Sequence, residues 1–195
     1  MPPSPELSGE LVFVTSNAGK AKEASFFLGR LVTARPGDIR EIQSLSFEEV
    51  VRAKALDAAH GFRCPVIVDD SGLSLAAWNG YPGPFTRWAL DTMGLDTFAR
   101  MVDLLPDRKA DAVAALALAS PDDPPERVIV AVGRVPGRIA ERPRGTNGFG
   151  WDALFVPEGE ERTYAEMSAD EKNAVSHRAR AFEVLRALLQ RDGAV

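Results

Sequence analysis

Apolar positions along the chain fall into two kinds of run. Short continuous stretches, Leu11-Val-Phe-Val14 and Pro65-Val-Ile-Val68, read as interior strands covered on both faces. The first leads into the turn Thr15-Ser-Asn-Ala-Gly-Lys20 and a helix over about residues 20–28. The second ends in Asp69-Asp70-Ser71-Gly72, which predicts two carboxylates at a strand terminus. Residues 31–34 form a candidate strand between them.

Elsewhere the apolar residues recur at helical spacing. Over residues 46–60, Phe47, Val50, Val51 and Lys54 share one face, with Ser46 and Glu49 placed as a capping box. Lys54 lies in line with the apolar stripe, so its stem packs inward. Its ammonium then emerges into a cleft or snorkels to bulk water, and the pattern leaves both open. A turn cluster, Asn79-Gly-Tyr-Pro-Gly-Pro84, precedes helical patterning through Leu105. Strands follow at about 112–118 and 127–135, joined through Pro121-Asp-Asp-Pro-Pro125. Ser168-Ala-Asp-Glu171 is a second capping box. The helix it opens carries Val175, Ala179, Phe182, Leu185 and Leu189 on one stripe, with Lys172, Ser176, His177 and Arg178 near its start.

Composition narrows the class. With 195 residues and 45% hydrophobic content, one domain spanning residues 9–195 can bury a core, behind a proline-rich tail at 1–8 expected to be disordered. A net charge of -5 excludes a global positive field of the kind that holds nucleic acid, so any phosphate must be gripped locally. Cys64 is the sole cysteine and reads as an inert thiol. No apolar stretch approaches a bilayer span and the start lacks a signal-peptide pattern, which points to a cytoplasmic protein with no membrane partner.

Five constellations carry chemical potential, and each also has an ordinary structural reading. Thr15, Ser16, Asn17 and Lys20 can present N–H groups and an ammonium to an anion, or simply cap a helix; the segment lacks the Gly-x-x-x-x-Gly-Lys-Ser/Thr phosphate loop. Asp69-Asp70 suits a hard divalent ion, which takes one or two carboxylates with phosphates and water, or is a solvated turn. Adjacent strand residues point to opposite faces, so only one of the pair is expected in a given cleft. Phe149-Gly150-Trp151-Asp152 can grip a flat ring and accept hydrogen bonds from its edge, or belong to the core. Lys172, Ser176, His177 and Arg178 offer donors of several kinds, or form a solvated face. Lys54 is the fifth.

In this order the motifs resemble those of the inosine triphosphate pyrophosphatase family, also called the Ham1 family. Thr15-Ser-Asn-Ala-Gly-Lys20 resembles its Thr-x-Asn-x-x-Lys turn and Val68-Asp-Asp-Ser-Gly-Leu73 its acidic strand end. Gly148-Phe-Gly-Trp-Asp152 resembles its base pocket, continuing through Thr163-Tyr-Ala-Glu-Met167 and Glu171-Lys-Asn-Ala-Val-Ser-His-Arg178. The resemblance spans about residues 11–189.

It implies an α/β fold with a long twisted mixed sheet, flanking helices and two lobes around a central cleft, assembled as a homodimer. The implied activity is Mg2+-dependent hydrolysis of dITP, ITP and XTP to the monophosphate and pyrophosphate, which cleanses the nucleotide pool. Carried over, Thr15, Ser16, Asn17, Lys20 and Lys54 hold the triphosphate, and Glu41 and Asp70 hold the metal. Asp70 with Lys20 is catalytic, Asp70 being also the base for water, and Ser71 contacts the nucleotide. Phe149, Gly150 and Trp151 line the base, Asp152, His177 and Arg178 read its edge, and Lys172 and Ser176 complete the site. The segment 47–55 departs from the family pattern at Val50, where the pattern has Asn, and the spacing from Glu41 to Phe47 differs by one residue. Arg178, a pure donor, suits the C6 keto group of hypoxanthine or xanthine and mismatches the amino group of adenine. Competing readings are a Maf-type pyrophosphatase preferring pyrimidine triphosphates, and a nucleotide-binding sensor that has lost turnover.

Overall fold

The two apolar runs pair with each other. In the computed structural model, which describes residues 12–29, 32–37 and 39–191, strand β1 (Val12–Val14) lies parallel to strand β3 (Val66–Leu75), with Val12 opposite Val66 and Val14 opposite Val68. Strand β2 (Thr33–Arg35) flanks β1 on its other side, also parallel. The expected strand at 31–34 is thus shifted towards Arg35, and Leu31 and the 1–8 tail lie outside the described residues.

Helix α1 (Ala18–Leu28) connects β1 to β2, and helix α2 (Phe47–Phe62) connects β2 to β3. They cover opposite faces of the sheet. Phe47, Val51 and Ala55 of α2 pack on Val12, Val14, Val66 and Val68, whereas Ala24 of α1 packs with Phe13 and Ile67. The two crossover connections therefore lie on opposite sides of the sheet, with β2 and β3 flanking β1, and such a switch point opens a crevice at the carboxyl ends of the parallel strands.

The sheet continues antiparallel through β5 (Lys109–Ala119), β6 (Ile129–Ile139) and β7 (Phe155–Pro157), while the short β4 (Pro82–Gly83) pairs with β3. The result is a seven-stranded mixed sheet with flanking helices. Helix α3 (Thr86–Met93) and helix α4 (Leu95–Val102), separated by Gly94, replace the single helical stretch read before Leu105. They close the far end over Leu73, Leu75, Ala112, Val135 and Phe155. The cleft opens between this end and the β1 end.

Three sequence expectations need correction. β3 does not end at Asp69-Asp70: pairing with β5 runs unbroken from Val66 opposite Ala119 to Leu75 opposite Ala110, so both acids are mid-strand. The Ser46 hydroxyl does accept from the Glu49 N–H, but the Glu49 carboxylate takes the Ser44 hydroxyl at 2.6 Å instead of closing the box. The helix opened by Ser168 breaks at Ser176 into α5 (Ala169–Val175) and α6 (His177–Arg191), because Ser176 adopts an extended backbone and its hydroxyl caps α6 by accepting from the Ala179 N–H.

Helix α6 lies directly on β6. A Cβ on Gly133 would stand 2.1 Å from the His177 carbonyl oxygen and 2.3 Å from the Ala181 nitrogen, so only glycine lets the helix approach this closely. Gly133→Ala is expected to destabilise the fold by about 3 kcal/mol through overpacking and to displace the start of α6. A denaturant midpoint equal to that of the parent chain would contradict this packing.

Candidate active site

Past Val14 strand β1 has ended, and β4 pairs with β3 only from Leu73 onwards. Asp69, Asp70 and Ser71 therefore occupy an open stretch of strand edge, held from behind by β5 alone. Asp69 shares a strand face with Ile67 and the α1–α6 side; Asp70 shares a face with Val66, Val68 and α2. Both nevertheless line one cleft of about 750 Å³, correcting the expectation that a single cleft admits only one of them. An open edge lets a cleft wrap both faces of a strand.

At the start of α1 the Asn17 side chain accepts from the Gly19 and Lys20 N–H groups at 2.9 and 3.2 Å, and Thr15 accepts from the Asn17 N–H at 3.0 Å. This fixes the turn and sends Lys20 to Asp69, Nζ to Oδ1 at 2.7 Å. Lys54, whose stem follows the buried stripe of α2, brings its ammonium to Glu41 at 2.7 Å within the same cleft. Ser16 is exposed at the cleft wall.

The two aspartates differ in environment. Burial pushes the Asp69 carboxyl up, but Lys20 and Arg178 outweigh it and hold the group at about 2. Burial likewise pushes Asp70 up, Lys20 and Lys54 pull it back, and Asp69 and Glu41 add to the rise, leaving it at about 6. Asp70 Oδ2 is buried without a hydrogen-bond partner.

The opposite end of the cleft is aromatic. Phe149 lies over Gly19, where a Cβ would come within 2.6 Å of its ring. Trp151 is buried, with its ring 4.9 Å from that of His177. Asp152 accepts from the Phe149 N–H at 2.8 Å and from Lys172 Nζ at 2.7 Å, and burial raises its carboxyl despite those donors. His177 is 1% exposed; burial, with Arg178 and Lys172 nearby, lowers it well below its ordinary value. It is thus a neutral imidazole, with one donor and one acceptor, and neither ring nitrogen has a partner.

Arg178 is fully buried and heavily engaged. Its Nε donates to Asp69 Oδ2 at 3.1 Å, Nη2 to Ser71 Oγ at 3.1 Å and Nη1 to Glu23. Burial disfavours its charge, yet Asp69 and Glu23 raise its pKa overall. Two of its five N–H groups remain for a ligand. Lys172, held by Glu23 at 3.1 Å, sits 4.6 Å from the Phe149 ring centroid.

The cleft brings together Thr15, Ser16, Asn17, Lys20, Glu41, Lys54, Asp70, Ser71, Phe149, Gly150, Trp151, Asp152, His177 and Arg178 on one wall system. Lys172 and Ser176 stand behind it, Lys172 as a buried partner of Asp152 and Ser176 as the cap of α6. Sequence reasoning missed Glu23, which holds both Lys172 and Arg178. It also missed Arg87 and Trp88 of α3, which line the facing wall. A readable signal for Glu23 was its position three residues after Lys20 on the same helix face.

The model of the Ham1 family matches residues 11–188. The chain belongs to the Ham1 family. A protein of Ignicoccus hospitalis named dITP/XTP pyrophosphatase is 42% identical over 180 residues, covering 90% of this chain and 94% of that one. An inosine triphosphate pyrophosphatase of Yarrowia lipolytica is 41% identical over 182 residues, covering 92% and 95%. The solved structure of the Staphylococcus aureus Ham1 protein superposes with a TM-score of 0.79 at 30% identity, covering 94% of this chain and all of that one.

In this Ham1-family cleft the residues fit a hard divalent ion. The donors are carboxylates, Asp70 carries a buried unpartnered oxygen, and Glu41, though paired with Lys54, still acts on Asp70 as a like charge. Among the described residues no group of three or more His, Cys, Asp or Glu gathers in a way that could hold a metal ion.

Without metal, ionising Asp70 costs the folded state stability. Its folded value, about 6, lies above the ordinary 3.8, so the cost is absent below about pH 4 and complete above about pH 6. Asp70→Asn removes it. The metal-free variant is expected to melt several degrees above the parent near pH 8, with the two converging near pH 4. Thermal melts in chelator across that range test this; a gap that does not shrink on acidification contradicts it.

Proposed function

We propose that this chain hydrolyses the non-standard purine nucleotides dITP, ITP and XTP to their monophosphates and pyrophosphate, with Mg2+ as cofactor, as a cytoplasmic homodimer. The observation that carries the reading is a single cleft with an unsatisfied carboxylate oxygen at its charged end and two unsatisfied imidazole nitrogens at its aromatic end. One end suits metal and phosphate, the other the polar edge of a base. The names of the relatives, dITP/XTP pyrophosphatase and inosine triphosphate pyrophosphatase, support the same substrates. Among the described residues no helix is long and apolar enough to cross a membrane.

Glu41 and Asp70 would hold the Mg2+, which neutralises phosphate charge and makes a nearby water easier to deprotonate. Water attacks the α-phosphorus, the bond to the bridging oxygen towards the β-phosphorus breaks, and the proton passes to Asp70. Without metal the carboxyl sits near 6 and is ionised at neutral pH; coordination to Mg2+ would lower it, so Asp70 serves as ligand or as proton acceptor more readily than as both at once. Lys20 exchanges Asp69 for the triphosphate, and Lys54 and the N–H groups of the Asn17 turn add donors where charge grows on the departing pyrophosphate.

At the base, neutral His177 can offer both a donor and an acceptor, and Arg178 offers its two remaining N–H groups. The Arg178 donors suit a C6 keto oxygen, whereas the amino group of adenine would leave them unpaired in a buried site. Guanine shares the keto group, so its rejection falls to contacts around the 2-amino group.

Pyrophosphate release by the purified protein with Mg2+ is expected to be at least about ten-fold faster, as kcat/KM, on dITP, ITP and XTP than on dATP and dGTP. Asp70→Asn is expected to lower kcat by about a hundred-fold or more. Equal rates on standard and non-standard purines, or best turnover on pyrimidine triphosphates, would overturn the substrate assignment.

A further inference from the structure

Tyr164 has no part in the reaction described above, yet it packs beside Trp151, His177 and Lys172, three of the groups assigned to the base site. It is fully buried. Its ring lies 5.9 Å from the His177 ring at 25° and 6.4 Å from the Trp151 ring, and Lys172 Nζ stands 5.7 Å from its centroid. Its hydroxyl reaches the break between α5 and α6.

That break leaves polar backbone groups without helical partners. A helix end exposes carbonyls and a helix start exposes N–H groups, and both occur here within two residues. The Tyr164 hydroxyl donates to the Val175 carbonyl at 3.2 Å, and the hydroxyl oxygen itself faces the backbone N–H of His177. One side chain therefore meets the last carbonyl of α5 and the first N–H of α6. Ser176 caps another orphan donor of this helix start, that of Ala179. The turn that carries Tyr164 is itself fixed by the capping box Thr163–Glu166, in which the Thr163 N–H donates to the Glu166 carboxylate at 2.8 Å.

Breaking the helix matters for function because it re-aims His177 and Arg178. In one continuous helix Ser176 would be helical, and the two residues after it would rotate away from the direction they now take. With Ser176 extended, His177 turns its imidazole into the cleft between Trp151 and Tyr164.

We propose that Tyr164 is a positioning residue for base recognition: by bridging Val175 and His177 across the helix break and stacking on the imidazole, it sets the orientation in which His177 and Arg178 read the base. The assignment rests on the proposed purine specificity. It adds that the discrimination depends on a hydroxyl that does not touch the substrate.

The test is Tyr164→Phe, which keeps the ring and removes the bridge. The ITP kcat/KM is expected to fall about ten-fold while the much lower ATP value hardly moves, so the ITP/ATP ratio narrows by nearly that factor. Binding of inorganic tripolyphosphate with Mg2+, which reports the far end of the cleft, is expected to stay within two-fold of the parent, while inosine binding weakens. Para-amino-phenylalanine at position 164, which restores a donor and an acceptor, is expected to recover most of the ratio.

An unchanged ITP/ATP ratio, or equal losses for ITP, ATP and tripolyphosphate, would overturn the assignment. A Tyr164→Phe chain that does not fold would overturn it too, because the hydroxyl would then carry the fold and not the pocket. A parent chain without preference for ITP over ATP would instead defeat the specificity reading on which the proposal stands.

Discussion

Lys20, Asp69, Arg178, Glu23, Lys172 and Asp152 form an unbroken series of buried or half-buried charges, each paired with the next. Three cations alternate with three anions, so the series is neutral overall. Removing any one member from water costs several kcal/mol, and only its neighbours compensate. The series joins β3, α1, α6, α5 and the 149–152 segment, which are remote in sequence, and each of these elements must be in place for the others' charges to be tolerated. It also runs from the phosphate end of the cleft to the base end. A triphosphate can take Lys20 from Asp69 without stranding either charge, because Asp69 keeps Arg178 on its other oxygen.

The groups outside this series are the informative ones. A folded chain rarely leaves buried polar atoms unpaired, and here the unpaired ones in the cleft belong to Asp70 and His177, at opposite ends. Asp70 is ionised near neutral pH at a cost to stability, and His177 stays neutral because burial disfavours its charge and Arg178 and Lys172 beside it oppose a third buried cation. Both states are what a ligand needs: a carboxylate for a cation and a water, and an imidazole with one donor and one acceptor. Stability forgone at such positions is the usual mark of a site.

Much of this was readable in the chain. The apolar runs at 11–14 and 65–68, the Asn17 turn and the buried stripe of α2 gave the parallel core and its helices, because burial on both faces leaves a continuous apolar signature. The motif residues converge on one cleft. What could not be read was tertiary. Asp69 and Asp70 looked like a strand end because the continuous apolar run stops there, but pairing with the alanine-rich β5 continues the strand regardless of side-chain pattern. Glu23 looked like any solvated helix residue, since its two cationic partners lie about 150 positions away.

The helix break at Ser176 shows why periodicity misleads at a site. Val175, Ala179, Phe182, Leu185 and Leu189 keep helical spacing across the break, and a continuous helix would satisfy every backbone group between them without help. The chain departs from that arrangement only where Ser176 can cap α6 and Tyr164 can meet the groups set free. Two hydroxyls thus replace helical hydrogen bonds, at little net cost because each pairing exchanges one hydrogen bond for another. The gain is directional: the imidazole of His177 and the guanidinium of Arg178 enter the cleft from a helix start, whose orientation is set by side chains from outside the helix. Periodicity records what the core requires of this segment, and the departure from it records what the pocket requires.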